Sequence, residues 1–502
     1  MAKIQLQSLE KEFLADVCRA AFINPFSDQR TEIDIRLSGV SPAASETHRT
    51  AQMMAKVAEW FGDFERRGKG SITYYEGKDR ELVEKASLFA LFYRFKDKFD
   101  QLIQEQMVHG DVPVKISFLT DALAALMQKG FSEELARRYF ALGFQMRRAF
   151  YFIKQSLVGG SACMKALRAN LWNNIFTHDI DFYNRYLWDR MEDFSTLLLG
   201  ETGTGKGTAA LAMGRSGFIP LDRRKKTFEE SFTRSFVSLN LSQFPETLIE
   251  SALFGHRKGA FTGAIENYQG VFDQCSPYGA ILLDEIGEIS KPIQIKLLQV
   301  LQEREFTPVG SQKKSRFQGR VITATNRPLK KLRGEGIFRD DFYYRLCSDI
   351  IVVPPLRQRI AEDPSELDRL LDITIERLIG RTSSKLVAGI RQIIDASLGT
   401  DYLWPGNVRE LEQCVRRIFL KGSYAGDDTA ADLDLAQTLI SGLDQGNIDS
   451  YQLTSGYCYL LYQRHQTFEE VARRTGLDRR TVKKYIQDWK GMKQISAPCL
   501  NP

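Results

Sequence analysis

Thr196-Leu197-Leu198-Leu199 runs without a break into Gly200-Glu201-Thr202-Gly203-Thr204-Gly205-Lys206-Gly207-Thr208, and the chain leaves that loop through Ala209-Ala210-Leu211-Ala212-Met213. An apolar strand, a glycine loop, a lysine and a helix former, in this order, commit the segment to a parallel α/β sheet with the loop at a strand's carboxyl end. Glycines let successive backbone N–H groups converge on phosphate oxygens, the helix N-terminus adds partial positive charge, and the Lys206 ammonium neutralises the outer phosphates. The segment reads as a nucleotide-binding P-loop. One position departs from the usual pattern. The residue after the lysine, normally a Ser or Thr on magnesium, is Gly207, which leaves Thr208 as the hydroxyl that would assist a metal.

Roughly 75 residues further on, Ala280-Ile281-Leu282-Leu283 ends in Asp284-Glu285. Acids at the carboxyl end of a buried strand beside a P-loop assign Asp284 to Mg2+ and Glu285 to the attacking water, because phosphoryl transfer needs a placed nucleophile and a neutralised leaving group. Buried-looking strands over Ser195–Leu199, Phe236–Leu239, Ala280–Leu283 and Arg320–Ala324 alternate with helical segments across 156–355, the pattern of a parallel sheet. Residues 356–425 have few strand signals and suit a helical lid; the Gly/Asp-rich stretch 426–450 reads as a linker and 451–502 as a compact helical end.

Residues 1–155 look helix-rich, with amphipathic stretches over Ile4–Phe22, His48–Arg66, Glu81–Met107 and Glu133–Lys154. Two alternating runs, Ile33–Leu37 and Val112–Ile116, are expected to form short strands, the second at an edge because of Pro113. Tyr74, Tyr75, Phe89, Phe92, Tyr93 and Phe95 are core side chains or the walls of a pocket; their spacing fits both.

Seven widely spaced cysteines without a CxxC pair disfavour a disulfide framework or a zinc ribbon. No apolar run approaches the roughly 18 to 20 residues of a membrane span, and the charges in the N-terminal stretch do not suit a secretory signal. The expectation is a cytoplasmic protein with no membrane partner. The net charge of +6 is unevenly placed: residues 1–155 hold 23 basic and 21 acidic side chains, whereas from Arg464 onward nine basic residues face four acidic ones. A basic tail on a near-neutral body points to a polyanion for the tail. The basic run Arg223-Arg224-Lys225-Lys226 reads as a solvated face.

Between the two phosphate-site motifs stands Gly259-Ala260-Phe261-Thr262-Gly263-Ala264. A mobile glycine loop that exposes Phe and Thr has no folding rationale unless something binds it. With this hexapeptide the chain resembles the AAA+ domain of sigma-54-dependent transcriptional activators, from about Leu157 to Leu420. Each further motif falls in that family's order: Leu157-Val158-Gly159-Gly160-Ser161 as the opening segment, Asn240 after Phe236-Val237-Ser238-Leu239, Val321-Ile322-Thr323-Ala324-Thr325-Asn326 as sensor I, Arg339 and Arg345 as arginine fingers, and Trp404-Pro405-Gly406-Asn407-Val408-Arg409 as the lid signature.

The resemblance implies an α/β fold, an AAA+ P-loop parallel sheet with a helical lid, preceded by a helix-rich regulatory domain and followed by a helix-turn-helix. It implies an ATPase using ATP and Mg2+, with Gly200 to Thr208 and Arg409 on the nucleotide, Lys206, Asn240, Asp284, Glu285, Asn326, Arg339 and Arg345 in catalysis, and Gly259 to Ala264 on sigma-54 RNA polymerase holoenzyme. The implied assembly is a homo-oligomeric ring, a hexamer, whose sites are completed by a neighbour's arginines. Phe468 to Ile486 has helix-turn-helix spacing: Ala472 lets the helices cross, Gly476 suits the turn, Asp478 an N-cap, and Arg479, Arg480, Thr481, Lys483 and Lys484 project toward double-stranded DNA upstream of a promoter. Gly207, where that family usually has an acid, favours a rival: a DNA-bound regulator with a weak ATPase. The signal received by 1–155 is not legible.

Overall fold

The computed structural model describes residues 3–426 and 448–495, with 435–436, 439–440, 442–443 and 446 between them. Cys499 and most of the expected linker 426–450 lie outside the described residues. The chain divides into two compact units, Met1–Ser383 with Gly406–Leu411, and Ser384–Pro405 with Glu412–Pro502.

The first unit is built on five parallel strands, β1 (Thr196–Leu199), β2 (Phe236–Asn240), β3 (Ala280–Asp284), β6 (Arg320–Thr325) and β7 (Asp349–Val352), in the order β2-β3-β6-β1-β7; two short strands, β4 (Glu305–Phe306) and β5 (Ser315–Arg316), form a separate antiparallel ribbon. The strands read as continuous apolar runs because helices cover both faces. Leu197, Ile281, Leu283 and Val321 pack into a core with Ile249, Leu253, Leu297 and Phe342. Leu198, Leu282, Ile322 and Ala324 pack into another, continuous with the N-terminal helices.

Those helices are α1 (Ser8–Phe22), α2 (Asp28–Ser38), α3 (Glu46–Arg66), α4 (Gly77–His109), α5 (Leu119–Gln128), α6 (Glu133–Ser156) and α7 (Ala162–Phe176). All four amphipathic stretches read from sequence are helices. Neither expected strand exists. Ile33–Leu37 lies inside α2, where the Ser27 side chain caps the first turn and Arg30 pairs with Asp34 one turn on; Ile33 and Leu37 are buried on one face at helical spacing, so two apolar residues four apart were compatible with both periods. Val112–Ile116 joins no ladder because the Gln106 side chain takes the Gly110 and Val112 carbonyls and the Val114 N–H.

α6 ties this layer to the sheet. Phe144 stacks on Phe228 with ring centres 4.6 Å apart, and Gln145 donates to the Ser216 carbonyl at 3.0 Å. Arg148 is fully buried, donates to the Gly217 carbonyl and lies over the Phe144 and Phe232 rings. Burial pushes its pKa down to about 9.

In the second unit, helices Ser450–His465, Phe468–Thr475 and Arg479–Ile495 enclose Cys458, Leu461, Val471, Val482 and Ile486. Gly476 turns at φ 71°, and Asp478 accepts from the Arg480 and Thr481 N–H groups as the expected cap.

Candidate functional site

The parallel register sets the site. Asn240 pairs with Asp284, Asp284 with Ala324 and Leu199 with Thr325, so the carboxyl ends of β2, β3, β6 and β1 deliver Asn240, Asp284, Asn326 and Gly200 to one rim of the sheet. Ligands of open α/β sheets bind at this rim. The glycine loop bridges β1 and the helix Lys206–Gly214, with Gly203 and Gly205 at φ 79° and 101°. Its backbone can be traced only by glycine at 203, where a Cβ would stand 2.3 Å from the Gly406 carbonyl oxygen. Gly203→Ala is expected to cost about 1–3 kcal/mol, read as a lower midpoint in urea unfolding; an unchanged midpoint would contradict this packing.

The Lys206 ammonium is buried and donates to the Gly200 and Glu201 carbonyls at 2.8 and 3.0 Å. Burial holds its pKa below the ordinary lysine value, opposed by Glu285 and Asp284 nearby. Glu285 sits in a left-handed turn at φ 56°. Burial, then the adjacent Asp284, holds its carboxyl above the usual range. Asp284 Oδ1 accepts from the Glu285 N–H at 3.0 Å, and Oδ2 has no hydrogen-bond partner among the described residues. Asn326 Nδ2 donates to Thr202 Oγ1 at 3.1 Å, which joins sensor strand to loop. Asn240 is half-buried and its amide oxygen is taken by Ser242, while Gly207 and Thr208 are exposed. A Cβ at 207 would meet nothing within 4 Å, so glycine there is not a steric requirement.

Sequence reasoning missed a clasp at this site. Arg357 binds Glu201 through both guanidinium arms at 2.8 and 2.5 Å; the Asn407 amide donates to Glu201 Oε2 and the Thr202 carbonyl at 3.1 Å, and its oxygen takes the Leu356 N–H at 2.7 Å. The Arg357 bond is the main cause holding the Glu201 carboxyl below its usual pKa. Arg409 is exposed but near enough to Lys206 to oppose its charge.

Arg339 is exposed and bonded to Asp341, whereas Arg345 is half-buried with Nε on the Leu301 carbonyl at 3.1 Å. The two are thus placed differently: Arg339 on the surface, Arg345 tethered. The 259–264 loop closes on itself through Gly259 N–H to the Ala264 carbonyl at 2.8 Å. Phe261, Thr262 and Gly263 are exposed and Ala264 is buried. The Phe261 ring rests edge-on against His256 at 4.9 Å, and His256 is held by Ser251 Oγ at 2.6 Å and stacked on Tyr268. In the second unit, Arg479, Arg480, Lys483 and Lys484 are exposed, Arg479 pairs with Glu469, and Thr481 is drawn into the Asp478 cap.

Residues 186–351 match the Sigma-54 interaction domain. The chain is 44% identical over 223 residues to the Nif-specific regulatory protein of Azotobacter vinelandii, covering 44% of this chain and 39% of that protein. It is 39% identical over 227 residues to the Escherichia coli transcriptional regulatory protein GlrR (44% and 47% covered) and 37% over 260 residues to the E. coli regulatory protein AtoC (50% and 51%). The chain thus spans from about two fifths to one half of the length of these curated relatives. Among solved structures, NtrX of Brucella abortus in complex with ATP is similar at TM-score 0.41 and 20% identity, over 74% of this chain and 80% of that one.

Proposed function

We propose that this chain, a member of the sigma-54-dependent transcriptional activators, hydrolyses ATP in a ring of its own copies and spends that energy on opening a promoter bound by sigma-54 RNA polymerase holoenzyme. The observation that carries the reading is the single rim that gathers Lys206, Asp284, Glu285 and Asn326, in a chain that also presents an exposed Phe261-Thr262 loop. In this reading Gly200 to Thr208 and Arg409 bind ATP, and Glu285 polarises the attacking water. Asn240 positions Glu285, and Asn326 senses the outer phosphate through its tie to the loop. Arg339, the surface arginine, serves the neighbouring subunit's nucleotide, with Arg345 supporting it from the helix Asp340–Leu346 that follows.

The donors suit a hard divalent cation. Asp284 Oδ2 and the Thr208 hydroxyl are the oxygen donors that would hold it, alongside substrate phosphates. Bound there, Mg2+ would supply charge neutralisation on the phosphates.

The tail helices would hold the ring on double-stranded DNA upstream of the promoter. Arg480, Lys483 and Lys484 are the contacts with no intramolecular ion pair among the described residues, with Arg479 and Thr481 at the helix start. Among the described residues no helix is long and apolar enough to cross a membrane.

The test is open-complex formation on a supercoiled template with sigma-54 holoenzyme and the full chain. Opening is expected with ATP and absent with a non-hydrolysable analogue; opening with the analogue would reject the coupling. A second expectation concerns pH. Glu285 must be ionised to polarise water, and its pKa is raised, so the acid limb of kcat/KM for hydrolysis should lie above the ordinary glutamate value of about 4.3. A limb at the ordinary value would argue against Glu285 as the group.

A further inference from the structure

The N-terminal helices surround a cavity of about 1380 Å³ that the nucleotide site does not use. Phe22, Phe26, Phe89, Phe92, Phe150 and Trp172 contribute apolar and aromatic walls. Its lining is also strongly basic, with nine lysines and arginines against four acids, although residues 1–155 as a whole are nearly balanced. Six of these cations are already neutralised: Arg30 by Asp34, Lys85 by Glu81 and Asp181, Lys96 by Asp97, Arg147 by Asp100, Lys154 by Glu46 and Arg369 by Asp363. Of the other three Lys165 is exposed, which leaves Arg49 and Arg168. Both are half-buried, neither has an ion pair among the described residues, and Arg168 makes a single hydrogen bond, to the Leu157 carbonyl at 2.8 Å. In the same wall the Trp172 indole N–H is buried without an acceptor. A buried donor left unpaired costs about 1–3 kcal/mol, and the half-buried Arg168 guanidinium adds to that deficit: burial holds its pKa below the ordinary arginine value although Glu366 and Glu46 lie near enough to oppose the shift.

We infer that this cavity is a binding site for a small organic acid with a flat apolar body, its carboxylate meeting Arg168 and Arg49 and its ring packing among Phe26, Phe150 and Trp172. Apolar walls with a few convergent polar groups are the make-up of a small-molecule site. The acid would be felt at the nucleotide site through α6. One side of that helix lines the cavity with Tyr139, Gly143, Met146, Arg147 and Phe150; the other carries Gln145 and Arg148, which grip the Ser216 and Gly217 carbonyls just past the helix that begins at Lys206. A cation at that helix's carboxyl end also complements its dipole. This coupling rests on the ATPase reading above; the binding does not.

Calorimetry with 1-naphthoate on the full chain is expected to show one saturable site. Arg168→Met, which keeps the stem, should weaken binding about tenfold or more, equivalent to about 1.4 kcal/mol. The neutral 1-naphthamide should be weaker by a similar factor, and Trp172→Phe should remove the fluorescence change on binding. No saturable binding of 1-naphthoate, or equal affinity for the amide or for the Arg168→Met chain, overturns the site. Phosphate release with and without 1-naphthoate tests the second half. A change in wild type that disappears in Gln145→Leu supports the route through α6; a change that persists in Gln145→Leu, or none in an active wild type, rejects it. A wild type that releases no phosphate while still binding the acid counts against the ATPase reading alone.

Discussion

Lys206→Ala is expected to lower phosphate release from ATP by about 10²–10³, the usual effect of removing one charge-stabilising donor from a water-poor site. Two features of the structure support so large a figure. The ammonium is buried, so its field is not screened by water, and it faces Asp284 and Glu285 across the rim where the reacting phosphate would lie. The informative partner is Thr262→Ala. Thr262 lies in the exposed 259–264 loop and makes no hydrogen bond to the rim among the described residues, so hydrolysis should stay near wild type while open-complex formation is lost. Phosphate release and promoter opening measured on both variants give opposite patterns if engine and tool are separate. Loss of hydrolysis in Thr262→Ala would mean that the loop belongs to the catalytic rim.

Glu366→Ala should be the most damaging single change to stability, at about 3–5 kcal/mol. Glu366 is fully buried and pairs with the equally buried Arg359 at 2.8 Å; its other oxygen accepts the Ser161 N–H at 2.8 Å. Deleting the carboxylate strands a guanidinium where water cannot reach it. Gly159, at φ 139°, has no room for a Cβ, which would stand 2.4 Å from Glu366, so the Val158-Gly159-Gly160 segment is moulded on this pair. The urea-unfolding midpoint reads the loss, and the double variant Arg359→Met with Glu366→Leu should recover most of it, because two apolar side chains leave no orphaned charge. A double variant as unstable as the single one would show that the carboxylate's bond to Ser161, not the ion pair, carries the energy.

The phosphate rim was legible in sequence because its parts are local: a strand's end, a loop and a helix start each carry their own residue pattern, and parallel register does the rest. The Arg357–Glu201–Asn407 clasp was not legible, since its members lie 156 and 206 residues apart and nothing but the fold brings them together. The His256 support under Phe261 left a fainter trace, a serine five residues before the histidine at a helix end. In the N-terminal helices the misreading had a different cause. Short apolar alternations such as Ile33-Asp34-Ile35 fit two periods, and only the Ser27 cap and the Arg30–Asp34 pair decide for the helix. The six aromatic residues divide between the readings open to them: Tyr75 is core, neither Tyr74 nor Tyr75 reaches the cavity, and Phe89, Phe92, Tyr93 and Phe95 wall it, Phe89 and Phe95 being buried as well.

The helix that starts at Lys206 has nine residues, with glycine at its second and last positions. Helices this short do not persist alone in water, and glycine adds no helix propensity at either end. Its stiffness is therefore on loan from α6 and the aromatic layer around it. A chain shortened by its first 155 residues is expected to lose that support and to bare an apolar face. The N-terminal helices and the helix that starts at Lys206 share one core, so this layer is not a portable module that can be moved intact to another sheet.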